Sequence, residues 1–264
     1  MAGKSKACVI KSDAVAELVI SAPPLNLFDA HTIADVESAV AEVGAMARTG
    51  EARAMILRAE GKVFCAGVDV REFQGLNTSE GARLMSRFMT LTQAIETLPI
   101  PTLAVVHGMN LTVGFELSLA CDLMWAAPDV QFGLVEATVG LTPGAGGTQR
   151  LAARAGAARA AELVLTGDLY SAEEIHAWGV INRIRPQDSL LNDARALATR
   201  LANGPTVASA VAKRLIRRQR DQGVAAADAM TAIATGQIFA TEDLTTGVTS
   251  LLANGPRQAT FAGR

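Results

Sequence analysis

Two glutamates in apolar company are where this sequence offers chemistry. Glu116 lies in Gly114-Phe115-Glu116-Leu117, followed by Leu119 and Ala120; Glu136 lies in Phe132-Gly133-Leu134-Val135-Glu136-Ala137. A carboxylate carried into an apolar environment must be paired, protonated or used, because burying an unpaired charge is costly. Two readings stay open for each: a structural carboxylate bonded to backbone or to Arg150, or a proton-transferring group. The second gains force from the glycine-rich backbone nearby. Cys65-Ala66-Gly67-Val68-Asp69 follows an expected strand, and Gly108-Met109-Asn110-Leu111-Thr112-Val113-Gly114 leads into an expected helix. A helix N-terminus presents unpaired N–H groups and about +0.5 of a charge. Two such groups aimed at one oxygen stabilise an enolate or another oxyanion.

Other chemistries find no motif. Pro143-Gly144-Ala145-Gly146-Gly147-Thr148 lacks the Gly-Lys-Ser/Thr ending of a phosphate loop and is not a dinucleotide fingerprint after a clear strand. His31, His107 and His176 are scattered, and no Gly-x-Ser-x-Gly elbow is present. His107 ends an expected strand and reads as structural. No grouping of His, Cys and Asp has ligand spacing, so no metal is expected. Lys213, Arg214, Arg217, Arg218 and Arg220 form a basic run, three of which share a helical face. Such a run is a solvated face or, less often, an anion or RNA site.

The elements that must position these residues alternate in type. A hairpin is expected from Ala7–Ile10 and Val15–Ile20 across Lys11-Ser12-Asp13, closed by Ala22-Pro23-Pro24-Leu25-Asn26. Asp29 caps a helix carrying Ile33, Val36, Val40 and Val43; Ser79 is the expected cap of a second, with Leu84, Phe88, Leu91, Ile95 and Leu98 on one face. Met55-Ile56-Leu57, Leu103–Val106 and Leu123–Trp125 read as short buried strands, and Gly114–Ala120 as helix. Ser171 and Glu174 have capping-box spacing. Short buried strands alternating with helices give an α/β fold. Strands cease after about Pro186, so residues 1–200 form the expected core and residues 201–264 a helical region that must pack on the core or on a neighbouring subunit.

Composition bounds the rest. The 264 residues are 50% hydrophobic, 19% charged and only 4% aromatic. A chain of this size buries about 75% of its unfolded surface, which excludes intrinsic disorder. Net charge is −2, so no electrostatic grip on nucleic acid or anionic membrane is expected. Cys8, Cys65 and Cys121 read as free thiols in a reducing compartment. Met1 to Lys6 runs into an apolar stretch too short for a signal peptide, and no apolar run reaches membrane-spanning length. The expectation is a cytoplasmic protein.

Several ordered segments make the sequence resemble the crotonase, or enoyl-CoA hydratase/isomerase, superfamily. They are Phe64-Cys65-Ala66-Gly67-Val68-Asp69-Val70, Gly114-Phe115-Glu116-Leu117 through Cys121-Asp122, Gln131-Phe132-Gly133 with Glu136, Pro143 through Leu151, Leu165-Thr166-Gly167 and Trp178-Gly179-Val180-Ile181-Asn182. Together they span nearly the whole chain. The resemblance implies a ββα spiral core with a helical C-terminal trimerisation region, commonly paired into hexamers. It implies acyl-CoA thioester substrates and no separate cofactor. The thioester oxygen would sit between the N–H groups of Val68 and Val113. Glu116 and Glu136 would hold a water for addition to a 2-enoyl thioester, with the N–H of Gly144 seating it. CoA would meet Ala66, Asp69, Val70 and Arg71, with Pro23 near the adenine. A double-bond isomerase, able to work with the Glu136 position alone, and a weakly catalytic thioester- or RNA-binding protein are the alternatives.

The sequence departs from the family at two places. Thr112-Val113-Gly114 replaces a Gly-Gly-Gly run, so a β-branched Val113 must present the second N–H, and such a residue resists positive φ. Near the C-terminus, Ala253-Asn254-Gly255-Pro256-Arg257 leaves mainly Arg257 for a phosphate.

Overall fold

The computed structural model describes residues 5–264; Met1 to Lys4, part of the segment read above for a signal peptide, lie outside the described residues. The strands are β1 (Ala7–Ser12), β2 (Val15–Ile20), β3 (Ala54–Ala59), β4 (Thr102–Val106), β5 (Met109–Leu111), β6 (Leu123–Ala126), β7 (Gln131–Gly133), β8 (Tyr170–Ser171) and β9 (Arg183–Ile184). The helices are α1 (Ala30–Thr49), α2 (Thr78–Thr97), α3 (Val113–Ala120), α4 (Gly147–Ala155), α5 (Ala157–Thr166), α6 (Ala172–Ala177), α7 (Gln187–Ala202), α8 (Thr206–Gln222), α9 (Val224–Gly236) and α10 (Glu242–Asn254).

A six-stranded sheet runs β1-β2-β3-β4-β6-β9, antiparallel only at the β1–β2 hairpin. Its inner strands are near-continuous buried apolar runs, with α1 packed on β1 and β2 and α7 on β2, β3, β4 and β6. The exception is Glu17 in the fully buried β2, whose carboxylate takes Arg58 at 2.7 Å and Arg195 at 2.5 Å. A smaller sheet, β5-β7-β8, is extended by single bridges from Cys65 to Asn110 and from Phe28 to Val68. Successive turns of the chain thus lay a strand in the large sheet and then a short segment in the small one, a ββα spiral. The step from β4 to β5 turns at Gly108, φ 63°, where a Cβ would stand 2.2 Å from the Lys62 carbonyl oxygen. Only glycine fits there.

The caps follow the sequence with one correction. Asp29 accepts from Thr32 N–H at the start of α1, and Ser171 with Glu174 closes a capping box on α6. The cap of α2 is Asn77, not Ser79: its Oδ1 accepts from Ser79 and Glu80 N–H at 2.9 and 3.1 Å, and Glu80 returns a bond to its amide. Asparagine two residues earlier is as good a cap as serine and finds a glutamate at the right spacing.

The C-terminal helices dock on the core through polar ties. Arg53 donates to Thr206 Oγ1, Gly204 O and Phe261 O, and Lys213 to Asp122 and Ile100 O. Arg217 reaches Glu96 O and Arg220 the Glu96 carboxylate, so three members of the basic run face inward. This region also exposes Ile216, Ile233, Phe239 and Leu252. The expected boundary at 200/201 falls inside α7, a helix that packs on β3 and β4.

Candidate active site

The spiral brings four separated segments to one cavity of about 120 Å³. Its lining includes Ala66, Val68, Val70, Val113, Glu116, Glu136 and Gly144, seven of the nine residues singled out in the sequence. Asp69 and Arg71 are not in the lining. Asp69 caps the 3-10 turn Val70–Phe73 and binds the Arg71 guanidinium, which holds its carboxyl down at about 2.

Glu116 owes its position to α3. All eight residues of that helix are buried, so its carboxylate is withdrawn from bulk water and faces only the cavity. One oxygen, Oε1, accepts from Ala145 and Gly147 N–H, both at 2.8 Å. Burial still prevails over these bonds and pushes the carboxyl up to about 7. Glu136 opens a 3-10 turn, Glu136–Val139, on the opposite wall. Burial raises it to about 8, the Glu116 charge adding to the rise, and its Oε2 is buried without a partner. Two carboxyl groups that share a cavity cannot both ionise readily. The pair therefore keeps a proton well above the usual carboxylate range.

The amides of Val68 and Val113 are available by construction. In the bridge to Phe28, Gly67 O and Asp69 N make the bonds, so Val68's own N–H points to the other edge. Val113 is the first residue of α3, where helical N–H groups lack intrahelical partners. Among the described residues neither N–H finds an acceptor. Val113 also escapes the strain expected of it. The positive φ falls on Thr112, at φ 45° and ψ −122°, and Val113 takes an ordinary helical start.

Sequence reasoning missed the supports. Asn26, φ 50°, is buried; it accepts from Ala22 N–H and donates through Nδ2 to Glu60, Val63 and Phe64 carbonyls, fixing the loop that presents Ala66 to Val68. The 145–147 loop that grips Glu116 is held by Thr92 Oγ1, 2.7 Å from Ala145 O, and by Arg150, itself paired with Glu96 at 2.8 Å. An asparagine directly after Pro-Pro-Leu was the available signal for the first; nothing in the spacing pointed to Thr92. Cys65 and Cys121 are free, buried and pushed up to about 12 by burial, so both are inert packing groups. His107 bonds Gly61 O and is structural. Among the described residues no His/Cys/Asp/Glu group could hold a metal, and no helix is long and apolar enough to cross a membrane.

A ββα spiral with an apolar cavity, two proton-holding carboxyls and two free amides defines an enzyme of the crotonase fold. The chain belongs to the enoyl-CoA hydratase/isomerase family, whose model matches residues 11–262. It is 31% identical over 244 residues to a short-chain-enoyl-CoA hydratase of Clostridium acetobutylicum, covering 92% of each chain. It is 36% identical over 203 residues to the human mitochondrial enoyl-CoA hydratase domain-containing protein 2, covering 75% of this chain and 70% of that one. An enoyl-CoA hydratase crystal structure from Geobacillus kaustophilus superposes with a TM-score of 0.90 at 29% identity, covering 98% of both chains.

Proposed function

We propose that the protein hydrates 2-enoyl-CoA thioesters, adding water across the 2,3 double bond. The observation that carries this reading is a pair of glutamates, Glu116 buried and Glu136 half-buried, lining one cavity beside two unpaired amides. The thioester oxygen accepts from Val68 and Val113 N–H. Charge develops on that oxygen as water adds at Cβ, and one preorganised donor is typically worth about 3 kcal/mol. Glu116, whose carboxylate two backbone amides hold, takes a proton from the water as its oxygen bonds to Cβ. Glu136, protonated, delivers its proton to Cα. The proton gained by Glu116 then passes to Glu136 through the cavity, so the pair returns to its starting state and the net change is one water added. Gly144 N–H seats the water. No cofactor enters, because the thioester itself acidifies Cα.

CoA follows the edge of Ala66 and Val70, with Arg71 at the mouth. The Arg71 side chain is 79% exposed, and Asp69 orients it. The exposed Ile216, Ile233, Phe239 and Leu252 support self-association of the C-terminal region as a trimer or hexamer, since large exposed apolar side chains mark contact surfaces.

Following loss of the enoyl absorbance of crotonyl-CoA tests the reading. Glu116→Gln and Glu136→Gln should each lower kcat by about 100-fold or more. Full activity in both variants contradicts it. Proton exchange at Cα without net hydration selects the isomerase reading, which needs only Glu136 and the amides.

A further inference from the structure

Thr112 combines three features that its neighbours do not explain. Its backbone lies at φ 45° and ψ −122°, a region that a β-branched residue enters only when its surroundings impose it. Both sides are pinned, Thr112 N–H to Gly133 O and Thr112 O to Glu116 N–H, each at 2.9 Å. It occupies the cap position of α3, yet its hydroxyl does not cap that helix. Threonine at a helix start ordinarily bonds the first-turn amides. Here Oγ1 is buried with no partner, on a residue that lines the cavity. An unsatisfied buried hydroxyl is costly, so its partner is to be sought in what binds there.

The surroundings fix where that partner lies. A Cβ on Gly67, φ 115°, would stand 2.6 Å from Thr112 Oγ1, so the missing side chain of Gly67 is what gives the hydroxyl its place. Gly67 directly precedes Val68, and Thr112 directly precedes Val113. The hydroxyl therefore lies against Gly67, the residue before Val68, on the residue before Val113, and all four residues line the same cavity. We infer that Thr112 Oγ1–H is a third donor to the thioester oxygen, strengthening as that oxygen becomes an enolate. This rests on the hydratase reading for the placement of the thioester.

Three variants separate the hydroxyl from the strain. Thr112→Val keeps the shape and removes the hydroxyl. Thr112→Ser keeps the hydroxyl. Thr112→Gly removes both hydroxyl and strain and suits the backbone, so it folds if any variant does. The probe is acetoacetyl-CoA, whose enolate absorbs in the near ultraviolet; its apparent pKa when bound reports the donors around the oxygen. Thr112→Val and Thr112→Gly should raise that pKa by about one unit, a tenfold loss of enolate binding. Their kcat on crotonyl-CoA should fall about tenfold with KM little changed. Thr112→Ser should stay near wild type. Thr112→Gly should also melt at a higher temperature than wild type, a stability gain with a functional loss. A wild type that hydrates and binds the enolate, with Thr112→Val or Thr112→Gly unchanged from it in both readouts, overturns the inference alone. A wild type that does neither overturns the hydratase reading and the inference with it.

Discussion

Glu116 Oε1 sits 2.8 Å from the Gly147 amide, and the missing side chain of Gly147 makes that approach possible. A Cβ on Gly147 would stand 2.8 Å from Glu116 Cγ and 3.0 Å from its Oε1. Gly147 has an ordinary helical backbone, so alanine there would be free of φ strain; it would push the carboxylate away and also crowd the buried Leu134, whose Cδ1 lies 3.1 Å from the added Cβ. Gly147→Ala should therefore fold and lose kcat by about 100-fold, the scale of an ångström's misplacement of a reacting group. Steady-state kinetics with a thermal melt checks this; unchanged kcat in a folded variant would show that Glu116 need not be held there.

The pH profile should be bell-shaped. The proposed hydration uses Glu116 ionised and Glu136 protonated, and their carboxyls are raised to about 7 and about 8. The acid limb of kcat/KM comes from protonating Glu116 and the alkaline limb from ionising Glu136, with both limbs belonging to the coupled pair. The optimum falls between them. Glu136→Gln removes its neighbour's charge and one ionisable group, so the residual activity should lose its alkaline limb. A profile flat from pH 6 to 9 in wild type would contradict this assignment.

Stability should respond in the opposite sense to ordinary carboxylates. Both glutamates are raised by burial from 4.5, so between that value and about 7 to 8 the folded chain holds protons that the unfolded chain has released. Stability then falls as pH rises through the window. Below about pH 4.5 the contribution is fully present; above about pH 8 it is gone. Glu136→Gln, permanently neutral, should melt at nearly the wild-type temperature at pH 5 and several degrees higher at pH 9. A variant that gains nothing at pH 9 would mean that Glu136 is not desolvated.

On the proposed reading Met85 sets the depth of the acyl end. It lines the cavity from α2, and a Cβ on Gly144 would stand 2.0 Å from Met85 Sδ, so its thioether lies directly on that glycine. Met85→Ala should open the cavity beyond that point and raise the ratio of kcat/KM for an eight-carbon over a four-carbon enoyl-CoA by roughly tenfold or more. Competition between the two substrates measures the ratio directly. No change would place the acyl end elsewhere, against Val139 or Leu141.

The sequence made the chemistry more legible than its supports. Glu116 and Glu136 stand out because a charge among apolar residues is rare without a reason, and both line one cavity with Val68 and Val113. The large sheet was legible because β2, β3 and β4 are buried apolar runs. The small sheet was not: β5, β7 and β8 have three, three and two residues, too short for any period to register. The hold of Ala145 and Gly147 on Glu116 was hidden too, since a backbone donor leaves no mark on residue type. The strain forecast for Val113 went to Thr112 because the positive φ belongs to the residue that enters the helix, not to its first turn.

The division of labour between the two glutamates is tested most directly by turnover of crotonyl-CoA in deuterated water, with mass spectrometry of the product. Wild type should lose the enoyl absorbance and give a 3-hydroxy thioester carrying one deuterium at Cα. Glu116→Gln should abolish hydration while some Cα exchange survives on a saturated thioester, and Glu136→Gln should abolish that exchange. A wild type that shifts deuterium into a β,γ-enoyl product without adding water would contradict hydration and make the protein an isomerase.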